Sequence, residues 1–311
     1  MKKEEFYFDS MDGESRIHAV RYLPDTDEVK GIVQIVHGVA EHVERYEEFA
    51  GFLTDRGFVV TGEDHLGHGK SVKKDGVLGY FCEQDPATVV VRDVHRLKKM
   101  THELYPMVPY ILYGHSMGSF IVRNYMSRYG KGISGAIISG TGNYTNNALH
   151  MGKAVAAIQK KFKGSKHISK FMNDIIFNNY NKAYEPARTP VDWFSKDTAK
   201  VDAYVADPLC GFPFTMNGVE TLFELIERMN DKEEMAKIPK DLPVYIVSGD
   251  KDPVGECGKG VQEVYDSLKA VGLQKVEMKL FADDRHEILN ETDRVEVMQN
   301  LYKWIMDVVL A

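Results

Sequence analysis

Hydrophobic positions along the first half of the chain change their spacing near residue 30. Before that point, residues 6–9 and 17–22 alternate apolar and polar side chains around Asp12-Gly13, which predicts a two-stranded hairpin. After it, short apolar runs alternate with segments of helical spacing, as expected for strands buried on both faces and the helices that cover them. The predicted strands are 31–36, 58–62, 110–113 and 134–139, and the predicted helices are 45–56, 86–105 and 117–129.

This alternation stops at about residue 143. The following residues contain helical stretches at 148–162, 168–184, 196–205 and 218–230 and no convincing strand. Strands at 244–248 and 276–281 and helices at 256–271 and 293–310 then restore the pattern. Alternating strands and helices predict an α/β core with a parallel sheet, formed by 1–142 and 226–311. Residues 143–225 are most simply a helical cap over the binding edge, and the alternative is that they pad the flank of the sheet.

Composition excludes several classes of protein. The 311 residues include 39 Lys and Arg against 46 Asp and Glu, a net charge of −7, which argues against a nucleic-acid partner. Three scattered cysteines give no disulfide framework, so we expect a reducing, cytoplasmic location. The first residues lack the apolar segment of a signal peptide, and no run of 18 apolar residues occurs, so no membrane-spanning helix is expected.

Residues 114–118 read Gly-His-Ser-Met-Gly and connect a predicted strand directly to a predicted helix. A serine on such a sharp turn projects its hydroxyl above the sheet, and the flanking glycines allow the neighbouring backbone to pack closely. The amide of Met117 would lie at the helix N-terminus, where partial positive charge favours an oxyanion. This context predicts that Ser116 is a nucleophile rather than part of a plain glycine-rich turn.

A serine hydroxyl needs a base, and in this architecture the partners follow in the order serine, acid, histidine. Of the 11 histidines, His286 is the one that lies beyond residue 167, and it falls in the loop after the last predicted strand. It is therefore the candidate base. The loop after strand 244–248 offers two acids, Asp250 and Asp252, and the pattern alone mildly favours Asp252.

The loop after strand 31–36 is the expected source of a second oxyanion donor. Gly38 permits close backbone approach there, and the amide of Val39 is the candidate donor. The spacing of His37, Glu41 and His42 in this loop matches no helical zinc motif, so we expect no metal. Residues 64–71 end in Gly-Lys-Ser but begin with Asp, so a phosphate-binding loop is rejected as well.

Together these residues resemble the monoacylglycerol lipase and bacterial lysophospholipase branch (serine aminopeptidase S33 type) of the α/β-hydrolase superfamily. That branch carries His-Gly-x-x-Glu-His-x-x-Arg-Tyr, here 37–46, and Asp-x-x-Gly-His-Gly-x-Ser, here 64–71. The serine motif at 114–118, an Asp three residues after Gly249 and Arg-His-Glu at 285–287 complete the pattern. The resemblance covers nearly the whole chain.

The resemblance implies an α/β-hydrolase fold, with a mostly parallel central sheet flanked by helices and an inserted helical cap. It implies hydrolysis of carboxylic esters of lipid-like alcohols, of the monoacylglycerol or lysophospholipid type, through an acyl-enzyme and without a cofactor. It assigns the acid to Asp252, and it implies substrate-binding roles for Gly38, Glu41 and Arg45.

Two other functions remain open on this fold. An aminopeptidase of the proline-iminopeptidase type would need carboxylates in the cap to hold an α-amine, and Glu185, Asp192 and Asp197 leave room for it. A non-catalytic ligand-binding protein is less favoured, because such proteins commonly lose part of the catalytic triad and all three members are present here. The expected partner is a small acyl ester.

The beginning of the predicted cap reverses the acidic charge of the chain. Residues 148–173 contain six lysines and no Asp or Glu, and Met151, Val155, Ile158 and Phe162 share one helical face. Amphipathic helices mostly serve cores, which predicts that this stripe packs on the sheet. A basic amphipathic helix that touches a membrane surface is the alternative. Phe171, Met172, Trp193, Phe212, Phe214 and Met216 could line an acyl tunnel or form the core of the cap.

Overall fold

A computed structural model describes residues 1–26, 28–144, 146–177 and 180–310, with the side chains of 146–148 left out. Within these residues eight strands form one sheet in the order β1-β2-β4-β3-β5-β6-β7-β8. β2 is antiparallel to both β1 and β4, and all the other neighbours are parallel. The strands are β1 (Lys2–Asp9), β2 (Arg16–Leu23), β3 (Gly31–Val36), β4 (Phe58–Glu63), β5 (Tyr110–His115), β6 (Gly135–Ser139), β7 (Val244–Gly249) and β8 (Val276–Phe281).

Helices cover both faces of the sheet. They are α1 (Glu47–Thr54), α2 (Pro86–Leu104), α3 (Met117–Tyr129), α4 (Asn146–Lys163), α5 (Lys170–Phe177), α6 (Thr198–Ala206), α7 (Met216–Asn230), α8 (Lys232–Ala236), α9 (Lys259–Ala270) and α10 (Arg294–Trp304). Among the described residues, no helix is both long enough and apolar enough to cross a bilayer.

Alternation along the central strands divides the core into two layers. In β3, Ile32 and Val36 pack with α2, α3 and α9 on one face, whereas Val33 and Ile35 pack with α1 and α10 on the other. Successive side chains of a strand point to opposite faces, so a strand covered on both sides is apolar at most of its positions. The predicted parallel sheet with helices on both faces is therefore confirmed.

The residues between β6 and β7 contain α4 to α8. α7 packs against α2, α3 and α4, and its side chains Val219, Leu225 and Ile226 are buried in the larger core layer. The helix runs through residue 225, so the predicted boundary at 225/226 falls inside an element. The helical stretch predicted over 168–184 contains α5 and a 3₁₀ turn at Tyr180–Tyr184, with 178 and 179 outside the described residues.

The packing face of α4 differs from the predicted one. Leu149 and Ala156 are buried, and Gly152 lies so close to α7 that an added Cβ atom would be 3.0 Å from the ring of Phe223. Small residues on this face let the two helices approach. Met151, Ile158 and Phe162 point away and are 69%, 59% and 80% exposed, whereas Val155 is half-buried against the core, so the prediction that this stripe packs on the sheet is wrong for three of its four residues.

Candidate active site

Ser116 lies in the turn between β5 and α3, with a φ of 53° and a ψ of −120°. A positive φ is strained for a residue with a side chain, so the surrounding structure must hold it in place. Gly114 and Gly118 allow the required close packing: a Cβ atom at Gly118 would lie 1.9 Å from the carbonyl oxygen of Val36. The glycines at these positions therefore make the sharp turn possible and place Ser116 at the carboxyl end of β5.

The amides of Val39 and Met117 are the predicted oxyanion donors. Met117 begins α3, where the helix dipole contributes positive charge. Val39 belongs to the loop after β3, and Gly38 brings this loop so close to Ser116 that a Cβ atom at position 38 would lie 3.1 Å from the Ser116 Cβ. Among the described residues, neither amide donates a hydrogen bond to a protein acceptor, so both can serve a ligand.

His286 contacts Asp252 from the loop that follows β8. Its Nδ1 atom lies 3.0 Å from each carboxylate oxygen of Asp252, and both side chains are buried. The carboxylate also accepts hydrogen bonds at 2.9 Å from the hydroxyl of Ser248 and from the amide of Val254. These donors hold the carboxylate against the Nδ1 edge of the imidazole. Nε2 is therefore the ring nitrogen that the carboxylate does not contact.

Burial opposes the charged forms of both groups, but their contact outweighs it. The charge of His286 and its hydrogen bond keep the pKa of Asp252 below its ordinary value in spite of burial. Burial likewise opposes the imidazolium, yet the charge and hydrogen bond of Asp252, with help from Glu287 and Glu41, raise the pKa of His286. The site therefore stabilises a protonated imidazole next to an ionised carboxylate.

The two candidate acids are distinguished by their contacts. Asp250 lies at the end of β7 and accepts a hydrogen bond of 2.8 Å from the amide of Asp283. Its carboxylate thus joins two loops, whereas Asp252, two residues further on, contacts the imidazole of His286. The geometry agrees with the assignment that the resemblance implied.

The end of β6 connects Ser116 to His286. The carbonyl oxygen of Ser139 accepts a hydrogen bond of 2.9 Å from the amide of Ser116. The next residue, Gly140, lies so close to the imidazole that an added Cβ atom would be 2.9 Å from the Cε1 atom of His286. The ring of His115, the residue before Ser116, has its centroid 4.7 Å from that of His286, and burial lowers the pKa of His115 to about 3. The contact between His286 and Asp252 thus lies near the turn of Ser116, at the carboxyl edge of the sheet.

Aromatic side chains from the segment between β6 and β7 cover the imidazole. The ring centroid of Trp193 lies 4.9 Å from that of His286, and the centroid of Phe194 lies 6.1 Å from it. The amide of Glu287 also donates a hydrogen bond of 2.8 Å to the carbonyl oxygen of Phe194. The sequence indicated Trp193 as a lining residue but not Phe194, since two adjacent aromatic residues carry no signal of a distant partner.

Arg45 binds both Glu41 and Glu287. The guanidinium of Arg45 pairs with Glu41 and makes a two-bond contact of 2.9 and 2.7 Å with the carboxylate of Glu287. Glu41 in turn accepts a hydrogen bond from the amide of Gly38. The side chains of Glu41 and Arg45 are therefore engaged within the protein, and their implied contact with substrate stays a prediction. The contact between Glu287 and Arg45 was not predicted from the sequence, although Glu287 directly follows the candidate base.

One group of possible metal ligands occurs among the described residues. His42, Asp207 and Cys210 each offer a donor atom, and these atoms lie within 4.8 Å of one another. However, the Nε2 atom of His42 already lies 2.9 Å from a carboxylate oxygen of Asp207. This contact joins the loop after β3 to the residues that follow α6. His37 and Glu41, which sequence analysis considered as ligands, are not part of the group.

The family model described as serine aminopeptidase, S33, matches residues 27–293. The chain belongs to this family. The monoacylglycerol lipase of Mycolicibacterium smegmatis is 28% identical over 286 residues, which cover 92% of this chain and 91% of that relative. The monoglyceride lipase of Rattus norvegicus is 25% identical over 289 residues, which cover 92% of this chain and 85% of that relative.

Solved structures give the same result. A highly thermostable carboxyl esterase from Bacillus coagulans, in complex with glycerol, superposes with a TM-score of 0.92 at 32% identity and covers 99% of both chains. The predictions of the α/β-hydrolase fold, of this branch of the superfamily and of a serine hydrolase that cleaves carboxylic esters are confirmed.

Proposed function

We propose that this protein hydrolyses carboxylic esters of lipid-like alcohols, of the monoacylglycerol or lysophospholipid type, with Ser116, His286 and Asp252 as the catalytic triad. The observation that carries the proposal is the buried contact between His286 and Asp252 next to the strained turn of Ser116. A pair of this kind orients a general base and stabilises the imidazolium that forms when it accepts a proton.

The reaction follows from the positions of these groups. The hydroxyl oxygen of Ser116 attacks the ester carbonyl while Nε2 of His286 accepts its proton, and the amides of Val39 and Met117 bind the oxyanion. The proton on His286 then passes to the leaving alcohol, and the acyl group stays on Ser116. Water repeats the sequence and releases the acid. Each proton and each bond is accounted for by these residues and by water, without a cofactor.

Residues 143–225 act in this proposal as a cap over the site. Trp193 and Phe194 contribute an apolar roof over His286, whereas Met172, Phe214 and Met216 are buried in the core between the cap and the sheet. An apolar roof favours a substrate with an acyl chain, since burial of each methylene from water contributes about 0.8 kcal/mol. Relatives named as monoacylglycerol lipases support the same substrate class.

The outer surface of α4 supports peripheral contact with lipid. Its exposed side chains Met151, Ile158 and Phe162 form an apolar stripe, and the exposed lysines Lys161 and Lys163 lie near its end. An amphipathic helix with lysines at its margin suits the boundary of an anionic membrane. In this proposal the protein takes its substrate from such a surface.

Sedimentation with vesicles of phosphatidylglycerol and phosphatidylcholine tests the lipid contact. We expect the wild-type protein to bind at low salt and the variant Ile158→Ser/Phe162→Ser to bind much less. The matched control is Val295→Ser, which removes an apolar side chain of 53% exposure from α10 and leaves α4 unchanged. Equal binding of all three proteins, or none by the wild type, would refute lipid contact through α4.

The description of the family gives reason to test an aminopeptidase as well. Of the three carboxylates considered for α-amine binding, Asp192 accepts hydrogen bonds from Thr189 and from the amide of Arg188, and Asp197 caps α6. These engagements favour the ester. Turnover of p-nitrophenyl esters, monoacylglycerols and lysophosphatidylcholine, compared with turnover of prolyl-p-nitroanilide, distinguishes the esterase from the aminopeptidase. Turnover of the anilide without turnover of any ester would overturn the proposal, and turnover of neither would favour a binding protein.

A further inference from the structure

A buried charge network joins the two loops that carry the oxyanion donor and the base. Arg45 lies at its centre and contacts Glu41 on one side and Glu287 on the other. The side chains of Glu41, Arg45 and Glu287 are only 2%, 12% and 8% exposed. Burial of these ions costs free energy of desolvation, so the network is not explained by a gain in stability alone.

Glu41 fixes the turn that contains Val39. One carboxylate oxygen accepts the amide hydrogen of Gly38 and the hydroxyl hydrogen of Tyr46, and the other contacts Arg45. Within the turn Ala40 has a φ of 52°, a strained value for alanine that needs support from its surroundings. The carboxylate of Glu41 supplies that support from one side of the turn.

The cap supports the other side of the same turn. The carbonyl oxygen of Ala40 accepts hydrogen bonds from the amide of Gly211 at 2.9 Å and from the hydroxyl of Tyr204 at 3.0 Å. The guanidinium of Arg45 lies 4.7 Å from the ring centroid of Tyr204. Arg45 therefore packs against both supports of the turn.

Glu287 carries the network to the base. It directly follows His286, and Asn290 donates a hydrogen bond of 2.8 Å to its carboxylate. Its two carboxylate oxygens accept hydrogen bonds from two different nitrogens of Arg45. This pair of bonds fixes the orientation of the carboxylate relative to the guanidinium as well as the distance between them. Despite burial, the charge of Arg45 lowers the pKa of Glu287 to about 2, so this carboxylate stays ionised.

We propose that Arg45 is a positioning residue, which through Glu41 and Glu287 holds the turn of the oxyanion donor Val39 at a fixed distance from the imidazole of His286. This deepens the proposed function and rests on it. The two loops are 242 residues apart in sequence at the Arg45–Glu287 contact, so chain connectivity alone does not set their spacing. The acceptor of the proton and the donor to the oxyanion must act on one carbonyl group, and a shift of about 1 Å between them can cost about 100-fold in rate.

Glu287→Gln tests the proposal because it keeps the shape of the side chain and removes its charge. We expect kcat for a p-nitrophenyl ester to fall by about 10- to 100-fold with little change in KM. Affinity for a trifluoromethyl ketone, which forms a tetrahedral adduct, is expected to fall with kcat. A purely structural role would instead lower the thermal midpoint and leave the kinetics of the folded fraction unchanged.

Asp284→Asn is the matched control. Asp284 lies in the same loop, is fully buried and pairs with Lys196 at 2.9 Å, but it makes no contact with Glu41 or Arg45. We expect its kcat to stay close to that of the wild type. If Asp284→Asn lost as much kcat as Glu287→Gln, or if Glu287→Gln kept wild-type kcat, the positioning role would be overturned.

Arg45→Lys keeps the positive charge but loses the two-bond contact with Glu287, and it serves if Glu287→Gln does not fold. Its kcat is expected to lie between those of the wild type and Glu287→Gln, and a wild-type value would count against the proposal. Labelling of the wild type with a fluorophosphonate separates this outcome from failure of the proposed function. A wild-type protein without labelling or ester turnover refutes the triad itself, whereas an active wild type with unaffected variants refutes only the network.

The pH profile gives a second readout. The charged and titratable groups that face His286 are Asp252, Glu287, Glu41 and His115. Loss of the negative charge at 287 removes one contribution that favours the imidazolium, so the acid limb of kcat/KM is expected to move to lower pH in Glu287→Gln. An unchanged acid limb together with an unchanged kcat would contradict the proposed link.

Discussion

Trp193 packs against the imidazole of His286, although 93 residues separate them, and the amide of His286 lies 3.5 Å from the carbonyl oxygen of Trp193. Trp193 belongs to the segment before α6, and its almost fully buried ring packs against the loop after β8. It therefore both excludes water from the base and joins the cap to the core.

Trp193→Ala is expected to lower the free energy of unfolding by about 3–5 kcal/mol, because the loss of a large buried ring leaves a cavity. Activity should fall as well, since water then reaches His286 and weakens its contact with Asp252. Urea denaturation and ester turnover measure the two effects. Trp193→Phe keeps most of the packing and should retain both, and a wild-type stability of the alanine variant would contradict the packing role.

Ser116→Ala is expected to reduce ester turnover by about 10⁴- to 10⁶-fold, because no other hydroxyl in the turn can take the place of the nucleophile. Labelling by a fluorophosphonate should disappear while the circular dichroism spectrum is unchanged. Ser127→Ala in α3 is the control, because the Ser127 hydroxyl donates a hydrogen bond to the carbonyl oxygen of Asn124 within that helix. Labelling that persisted in Ser116→Ala would place the nucleophile elsewhere.

The rate is expected to depend on pH through His286. Its pKa is raised above the ordinary value of 6.5, since the charge and hydrogen bond of Asp252 outweigh burial. Only the neutral imidazole can accept the proton of Ser116, so the acid limb of kcat/KM should lie above pH 6.5 and activity should fall as pH decreases through it.

Asp252→Asn should lower kcat by about 10⁴-fold, because the amide no longer holds the productive tautomer. It should also move the acid limb to lower pH, since the negative charge that favoured the imidazolium is gone. Asp250→Asn is the matched variant in the same loop and should keep both rate and limb. A profile that does not move in Asp252→Asn would be inconsistent with this role of the carboxylate.

Two glycines offer opposite outcomes for the same substitution. Gly118→Ala should destabilise the protein by more than about 3 kcal/mol, because the new methyl group would meet the carbonyl oxygen of Val36 at 1.9 Å within a packed turn. Gly51→Ala lies in α1, where the nearest atom would be 4.0 Å away. It should stabilise by about 0.5–1 kcal/mol. Thermal midpoints measure both, and changes of the same sign would contradict the contacts described here.

Much of the core could be predicted because its signals are local. The apolar runs of β3 and β5 continue over both faces, so each indicates a strand that is covered on both sides. The turn at Ser116 could be located because the close backbone contacts around it require glycine at positions 114 and 118, and this requirement is visible in the sequence. The order of the serine, acid and histidine then selected His286 among 11 histidines.

The remaining features depend on contacts that no local pattern contains. The apolar stripe of α4 predicted a packed face, but the helix packs through Leu149, Gly152 and Ala156, since small residues let it approach Phe223. A hydrophobicity pattern alone does not predict that a helix packs through its small residues rather than through its large apolar ones. The bond between Arg45 and Glu287 was missed for a similar reason, because an ion pair leaves no periodicity in the sequence.

The carbonyl oxygen of Ala40 receives its two hydrogen bonds from Tyr204 and Gly211, which belong to the segment inserted between β6 and β7. A chimaera that grafts the insertion of a relative onto this core would therefore have to supply a donor hydroxyl and a donor amide at those two places. Without these two donors, the chimaera would fold but the strained turn at Ala40 would lose its support. The insertion therefore cannot be exchanged independently of the turn that carries the oxyanion donor.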